Sequence, residues 1–146
     1  MIRAIIGVLG ALTALVPDRI VAAFERVAVE NPDDVEPRRG TRPTLRAEGV
    51  VVVALALIGG RAYAWAMYVT GAFGTVLLVV PRAYRAIASR LLYADPDAVE
   101  WRPGFDTFLR LVGAAYVLLG VRELRRDRDA ERSEEHTSEL QSRMFI

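Results

Sequence analysis

The chain has 146 residues, is 53% hydrophobic with a mean hydropathy of +0.24, and carries a formal net charge of +1. That length suits one modest domain, the hydropathy moves it from the soluble class towards the membrane class, and the near-zero charge gives no footprint for nucleic acid. With no cysteine, a disulfide framework and a thiolate metal site are both excluded.

The first element is an apolar helix over residues 2–16, stopped by the Val16-Pro17 step. Proline disfavours helical geometry in the residue before it but suits the first turn of a new helix. An amphipathic helix over 18–30 follows, with Ile20, Ala23, Phe24 and Val27 at i, i+3, i+4, i+7 opposite Arg19, Glu25 and Arg26. The loop Asn31-Pro-Asp-Asp-Val-Glu36 places Asp33 three residues before Glu36, the spacing of a capping box. A second apolar helix over 43–59 ends at Gly59-Gly60, a tight turn that makes a hairpin with the next helix.

That next helix, 62–80, is the longest uncharged run, and it alone reaches the roughly 18 apolar residues that cross a hydrocarbon core. Val80-Pro81 ends it, and a second amphipathic helix over 82–93 sets Tyr84, Ile87, Ala88 and Leu91 opposite Arg82, Arg85 and Ser89. Asp95-Pro-Asp-Ala-Val-Glu100 repeats the capping-box spacing at Asp97 and Glu100, and a fourth apolar helix is expected over 106–122.

A shift of 64 residues aligns the chain with itself without a gap. It pairs Gly7 with Gly71, Gly10 with Gly74, Val16-Pro17 with Val80-Pro81, Pro32-Asp33 with Pro96-Asp97, Gly49 with Gly113 and Leu55 with Leu119. The pattern predicts a tandem duplication, 1–61 and 62–128, followed by a polar tail over 129–146. The fold expected is all-α: a four-helix membrane bundle of two repeats, each with a membrane helix, an interfacial amphipathic helix, a loop and a second membrane helix. Two crossings per repeat put both termini on one side. Arginine is richer in the loops on the other side, which leans towards cytoplasmic interhelix loops.

Few residues carry chemistry. Residues 1–131 hold no His, Cys, Lys or Gln, which removes the serine–histidine and cysteine–histidine pairs, the phosphate-loop lysine and the Schiff-base lysine. The expectation is therefore no enzyme and no cofactor. The loop carboxylates Asp33, Asp34, Glu36, Asp95, Asp97 and Glu100 offer oxygen ligands of the type that hard cations take. They are read as helix caps and partners for Arg38 and Arg102, with no metal site.

Glu48 is the one acid inside an expected membrane helix, and it is assigned to a helix-end ion pair with Arg46 and Arg110, a proton pathway being the alternative. Arg82, Arg85 and Arg90 give the second amphipathic helix a basic face expected towards anionic lipid. Gly7, Gly10, Gly71 and Gly74 mark faces where helices pack closely, within the bundle or against a second copy. Tyr63, Trp65, Trp101, Phe105 and Phe108 are expected in interfacial aromatic belts.

The arginine-for-lysine bias and the Pro-Asp-x-Val-Glu loops resemble small multi-pass membrane proteins of haloarchaeal type, a likeness that implies a membrane location and brings no activity. The segment RSEEHTSELQS at 132–142 resembles the translation of a common sequencing-adapter oligonucleotide. It holds the only His and the only Gln, His136 and Gln141, so residues 132–146 are set aside from functional reasoning. The function expected is a non-catalytic integral membrane component in contact with the lipid bilayer and with a second copy or another membrane protein. A small transporter or channel is the alternative, and a soluble helical bundle the next.

Overall fold

A computed structural model describes residues 1–144, with side chains described to residue 135. Among these residues the fold is all-helical: α1 (Ile2–Leu15), α2 (Pro17–Ala28), α3 (Thr41–Ile58), α4 (Gly60–Val79), α5 (Pro81–Leu92) and α6 (Phe105–Met144), with a 3₁₀ turn at Pro96–Ala98.

Pro17 and Pro81 each open a helix, and the residues before them, Val16 and Val80, leave helical geometry at almost identical dihedrals (φ −130°, ψ 55° and φ −129°, ψ 56°). Both still donate their N–H backwards, to Leu12 O and Val76 O at 2.9 Å, so the preceding helix closes before the chain turns. Between α1 and α2 that turn is 102°. At the other end Gly59 and Gly60 take φ of +67° and +57°, a region L side chains rarely adopt, and reverse the chain with no loop between α3 and α4.

α1 packs along α3, and α4 along α6, as two hairpins. Their closest approach is built on glycine. A Cβ at Gly49 would lie 2.6 Å from the Gly10 carbonyl oxygen, and one at Gly113 would lie 2.6 Å from that of Gly74. The two contacts occupy positions 64 residues apart, and small residues there let the backbones meet.

The loops tie the hairpins together by crossing. Val29 forms an antiparallel bridge with Trp101, and Tyr93 forms one with Pro37. Under the 64-residue shift Val29 maps onto Tyr93 and Pro37 onto Trp101, so each bridge is the other with the halves exchanged. The hydrogen bonds follow suit. Glu30 N–H donates to Glu100 O at 2.8 Å and Ala94 N–H to Glu36 O at 2.9 Å, while Arg102 N–H donates to Ala28 O at 2.8 Å and Arg38 N–H to Leu92 O at 2.7 Å. The core sits here: Ala28, Val29, Val35, Leu77, Tyr93, Phe105 and Leu109 are buried together, with Phe24 and Trp101 against them.

Two expectations about the elements change. The fourth apolar helix does not stop near 122: α6 is continuous to Met144, because no Gly or Pro follows Gly120 to break it. The capping boxes do not form either. The 3₁₀ turn is capped by Asp95, whose carboxylate accepts from Asp97 N–H at 3.1 Å. In the first half Asn31 reaches across instead, donating to Ala98 O at 2.9 Å and accepting from Glu100 N–H at 3.1 Å. Cross-loop pairing satisfies donors that a local cap would otherwise have to meet.

Candidate functional site

Large apolar side chains stand bare on all four long helices of the two hairpins. Leu57 is 75% exposed on α3, Trp65 68% and Val69 64% on α4, and Leu118 69% on α6, with Ile5, Val8 and Leu9 bare on α1. Contiguous apolar areas on a protein surface mark places that meet another protein or a membrane. The outer faces of α2 and α5 add Val27, Ile87 and Leu91, all exposed. The amphipathic stripes read from the sequence are therefore split. Phe24 and Tyr84 turn into the loop core and Ala88 is buried, while Val27, Ile87 and Leu91 turn outwards.

By length and composition only α4 qualifies to cross a membrane alone, and α1 with α2 qualifies as a bent pair. The uncharged stretch of α6, residues 111–121, spans only about 17 Å at about 1.5 Å per residue, against a hydrocarbon core of about 30 Å.

The aromatic side chains are placed differently from the expected belts. Trp101 and Phe105 stack with ring centroids 5.1 Å apart, Phe24 meets both edge-on, and Phe105 and Tyr63 are buried. Of the five, Trp65 and Phe108 remain on the surface. An aromatic pair at a helix start reads alike whether it faces lipid or a neighbouring loop, and the crossed loops here take it inwards.

The predicted ion pair at Glu48 is absent: Glu48, Arg46 and Arg110 are all exposed, and no ion pair joins them among the described residues. Asp106 takes the comparable role. Its carboxylate lies 2.9 Å from Arg85 Nε and 3.9 Å from Arg82 Nε. The Arg85 N–H is not aligned for a hydrogen bond, so the attraction is coulombic between two half-buried groups. Arg85 is thereby turned towards Asp106 of α6, whereas Arg90 stays exposed without an ion pair among the described residues.

Gly7 and Gly71 also lie on the hairpin interfaces, against Ala56 and Gly120, so all four glycines named from the sequence pack within the chain. Of their partners, Gly49 and Gly113 are paired by the 64-residue self-match, whereas Gly120 was not singled out from the sequence.

Two polar groups stand out that sequence reasoning did not single out as sites. Glu25, on α2, is half-buried against Tyr93. Burial raises its carboxyl above the usual carboxylate range, a hydrogen bond from Tyr93 partly offsets this, and its Oε1 meets no partner. Tyr93 is pushed up in turn, by burial first and then by the Glu25 charge. Glu123, on α6, is only 8% exposed and lies 3.4 Å from Arg126. Its place just beyond the expected end of the fourth helix hid it from a reading that found no buried ionisable group there.

Among the described residues no group of three or more His, Cys, Asp or Glu is arranged to hold a metal ion. The loop carboxylates Asp33, Asp34 and Glu36 point to solvent. Comparison with protein-family models, with curated proteins and with solved structures finds no match to this chain.

Proposed function

We propose that this chain is an integral membrane protein in which two duplicated helical hairpins stand side by side, joined on one face by their crossed loops. In this reading it acts as a non-catalytic structural or interaction component, binding lipid on its flanks and a second copy or another membrane protein through its exposed apolar faces. The observation that carries the reading is the bare apolar surface on α1, α3, α4 and α6. It flanks the glycine-packed seams and lies between two ends rich in arginine. The duplication is supported by the Gly10–Gly49 and Gly74–Gly113 contacts and by the exchanged bridges, which repeat at 64-residue spacing.

The short uncharged stretches of α3 and α6 are accommodated if Arg46 and Arg110 extend their stems along the helix and hold their guanidinium groups in the headgroup layer, while the bilayer thins locally. The transporter reading gains nothing from Glu123, which lies just past the uncharged stretch of α6, beside Arg126, instead of at mid-depth. Carbonate washing of membranes that contain the full chain separates the membrane reading from a soluble bundle. Retention in the pellet supports it, and release into the supernatant overturns it.

A further inference from the structure

At the end of the molecule away from the crossed loops, the first turn of α1, the start of α4 and the charged continuation of α6 enclose a cleft of about 140 Å³. Its rim is Arg3, Arg122 and Arg126 with Tyr63 and Glu123, and its floor is Ile2, Met67 and Leu119. The three guanidinium groups and the Glu123 carboxylate all lie within electrostatic reach of the Tyr63 hydroxyl, so their charges converge on one place. Glu123 balances only Arg126. Arg3 and Arg122 have no carboxylate partner among the described residues. The Arg3 Nη1 also occupies the space that a side chain at position 59 would take, so Gly59 leaves room for it.

A cationic rim over an apolar floor fits an amphiphile with an anionic head. Guanidinium groups present paired N–H donors that match phosphate oxygens, and the surplus of positive charge excludes a head group with its own cation. We propose that this cleft binds the phosphate of an anionic phospholipid, its glycerol and acyl chains running over Ile2, Met67 and Leu119 onto the exposed surface of α1 and α4. The phosphate site follows from the cleft itself; that the phosphate belongs to a lipid rests on the membrane reading.

The test uses the full chain in neutral detergent, titrated with dihexanoyl phosphatidic acid, dihexanoyl phosphatidylcholine and inorganic phosphate, with binding followed by calorimetry. Saturable binding of the phosphatidic acid is expected, with the phosphatidylcholine inert and inorganic phosphate about tenfold weaker for lack of the apolar floor. Combining Arg3→Ala with Arg122→Ala should weaken the phosphatidic acid about tenfold or more, while Arg19→Ala, on the opposite face, leaves it unchanged. Glu123→Gln should tighten binding about threefold by releasing Arg126, a gain that a loosened fold would not produce.

Absence of saturable binding, or weakening by Glu123→Gln, overturns the site. Equal affinity for phosphate and lipid overturns the lipid assignment. A chain that pellets with membranes yet binds neither probe sinks the cleft alone. A chain released by carbonate sinks the membrane reading and the lipid source with it.

Discussion

Gly49 of α3 meets Gly10 of α1 backbone to backbone: a Cβ on Gly49 would stand 2.6 Å from the Gly10 carbonyl oxygen and 2.5 Å from Ala14 N. The same contact recurs between Gly113 and Gly74, where the added atom would stand 2.6 Å from the Gly74 oxygen and 2.9 Å from Leu78 N. Backbone cannot yield as a flexible side-chain tip can. Gly49→Val and Gly113→Val are therefore each expected to destabilise by about 1–3 kcal/mol or more, read as a drop in melting temperature. Gly40→Ala, with nothing within 4 Å of the new atom, should leave it unchanged.

Asn31 joins the two loops through both ends of its amide, to Ala98 O and from Glu100 N–H. Asn31→Ala removes both bonds and leaves a donor and an acceptor short of partners. The expected cost is about 1–3 kcal/mol in chemical unfolding. Asp33→Ala, which removes an exposed carboxylate two residues away, should stay within about 0.5 kcal/mol.

Asp106 and Asp18 make ion pairs in different surroundings. Asp106 and Arg85 are about one-third exposed or less, whereas the Asp18–Arg42 pair at 2.5 Å is about two-thirds exposed on both sides. Asp106→Asn should cost about 1 kcal/mol or more because Arg85 is left half-buried without its partner. Asp18→Asn should cost less than about 0.5 kcal/mol, and that small loss should vanish in high salt.

Glu25 gives a pH dependence whose sign follows from its raised carboxyl. The folded chain holds this proton more tightly than the unfolded chain, so stability falls as pH rises from the ordinary carboxylate range through the raised value, and is recovered on acidification. Glu25→Gln should remove that slope and raise the melting temperature at neutral pH, with the gain over the wild type shrinking at mildly acid pH. A wild type that loses stability on acidification, in step with the variant, would contradict the placement of Glu25 beside Tyr93.

The helix boundaries were legible because their signals are local. Pro17 and Pro81 force a new helix one residue after a valine, and Gly59-Gly60 admits the positive φ that a loop-free hairpin needs. The 64-residue self-match pairs Gly10 with Gly74, and each of the two meets a glycine of the facing helix. What escaped was set by pairing between segments far apart in the chain. Nothing near Val29 announces Trp101 as its partner, and without that crossing Trp101 and Phe105 read as lipid-facing aromatics and Asp33 as a cap. The cleft escaped for a related reason. Arg3 and Arg122 stand 119 residues apart in the chain, and only the hairpin geometry sets them beside Tyr63 and Glu123.

An integral membrane chain of this fold requires the bare flanks of α1, α3, α4 and α6 to lie in lipid. Because the chain has no cysteine, single substitutions can be read without background. Leu57→Cys, Val69→Cys and Leu118→Cys sit on those flanks, and Asp33→Cys sits in the exposed loop. The measurement is the rate of labelling by a membrane-impermeant maleimide, in vesicles opened to expose both faces and again after detergent. The expected result is prompt labelling at position 33 and none at 57, 69 and 118 until detergent is added. Equal labelling at all four positions before detergent would contradict it.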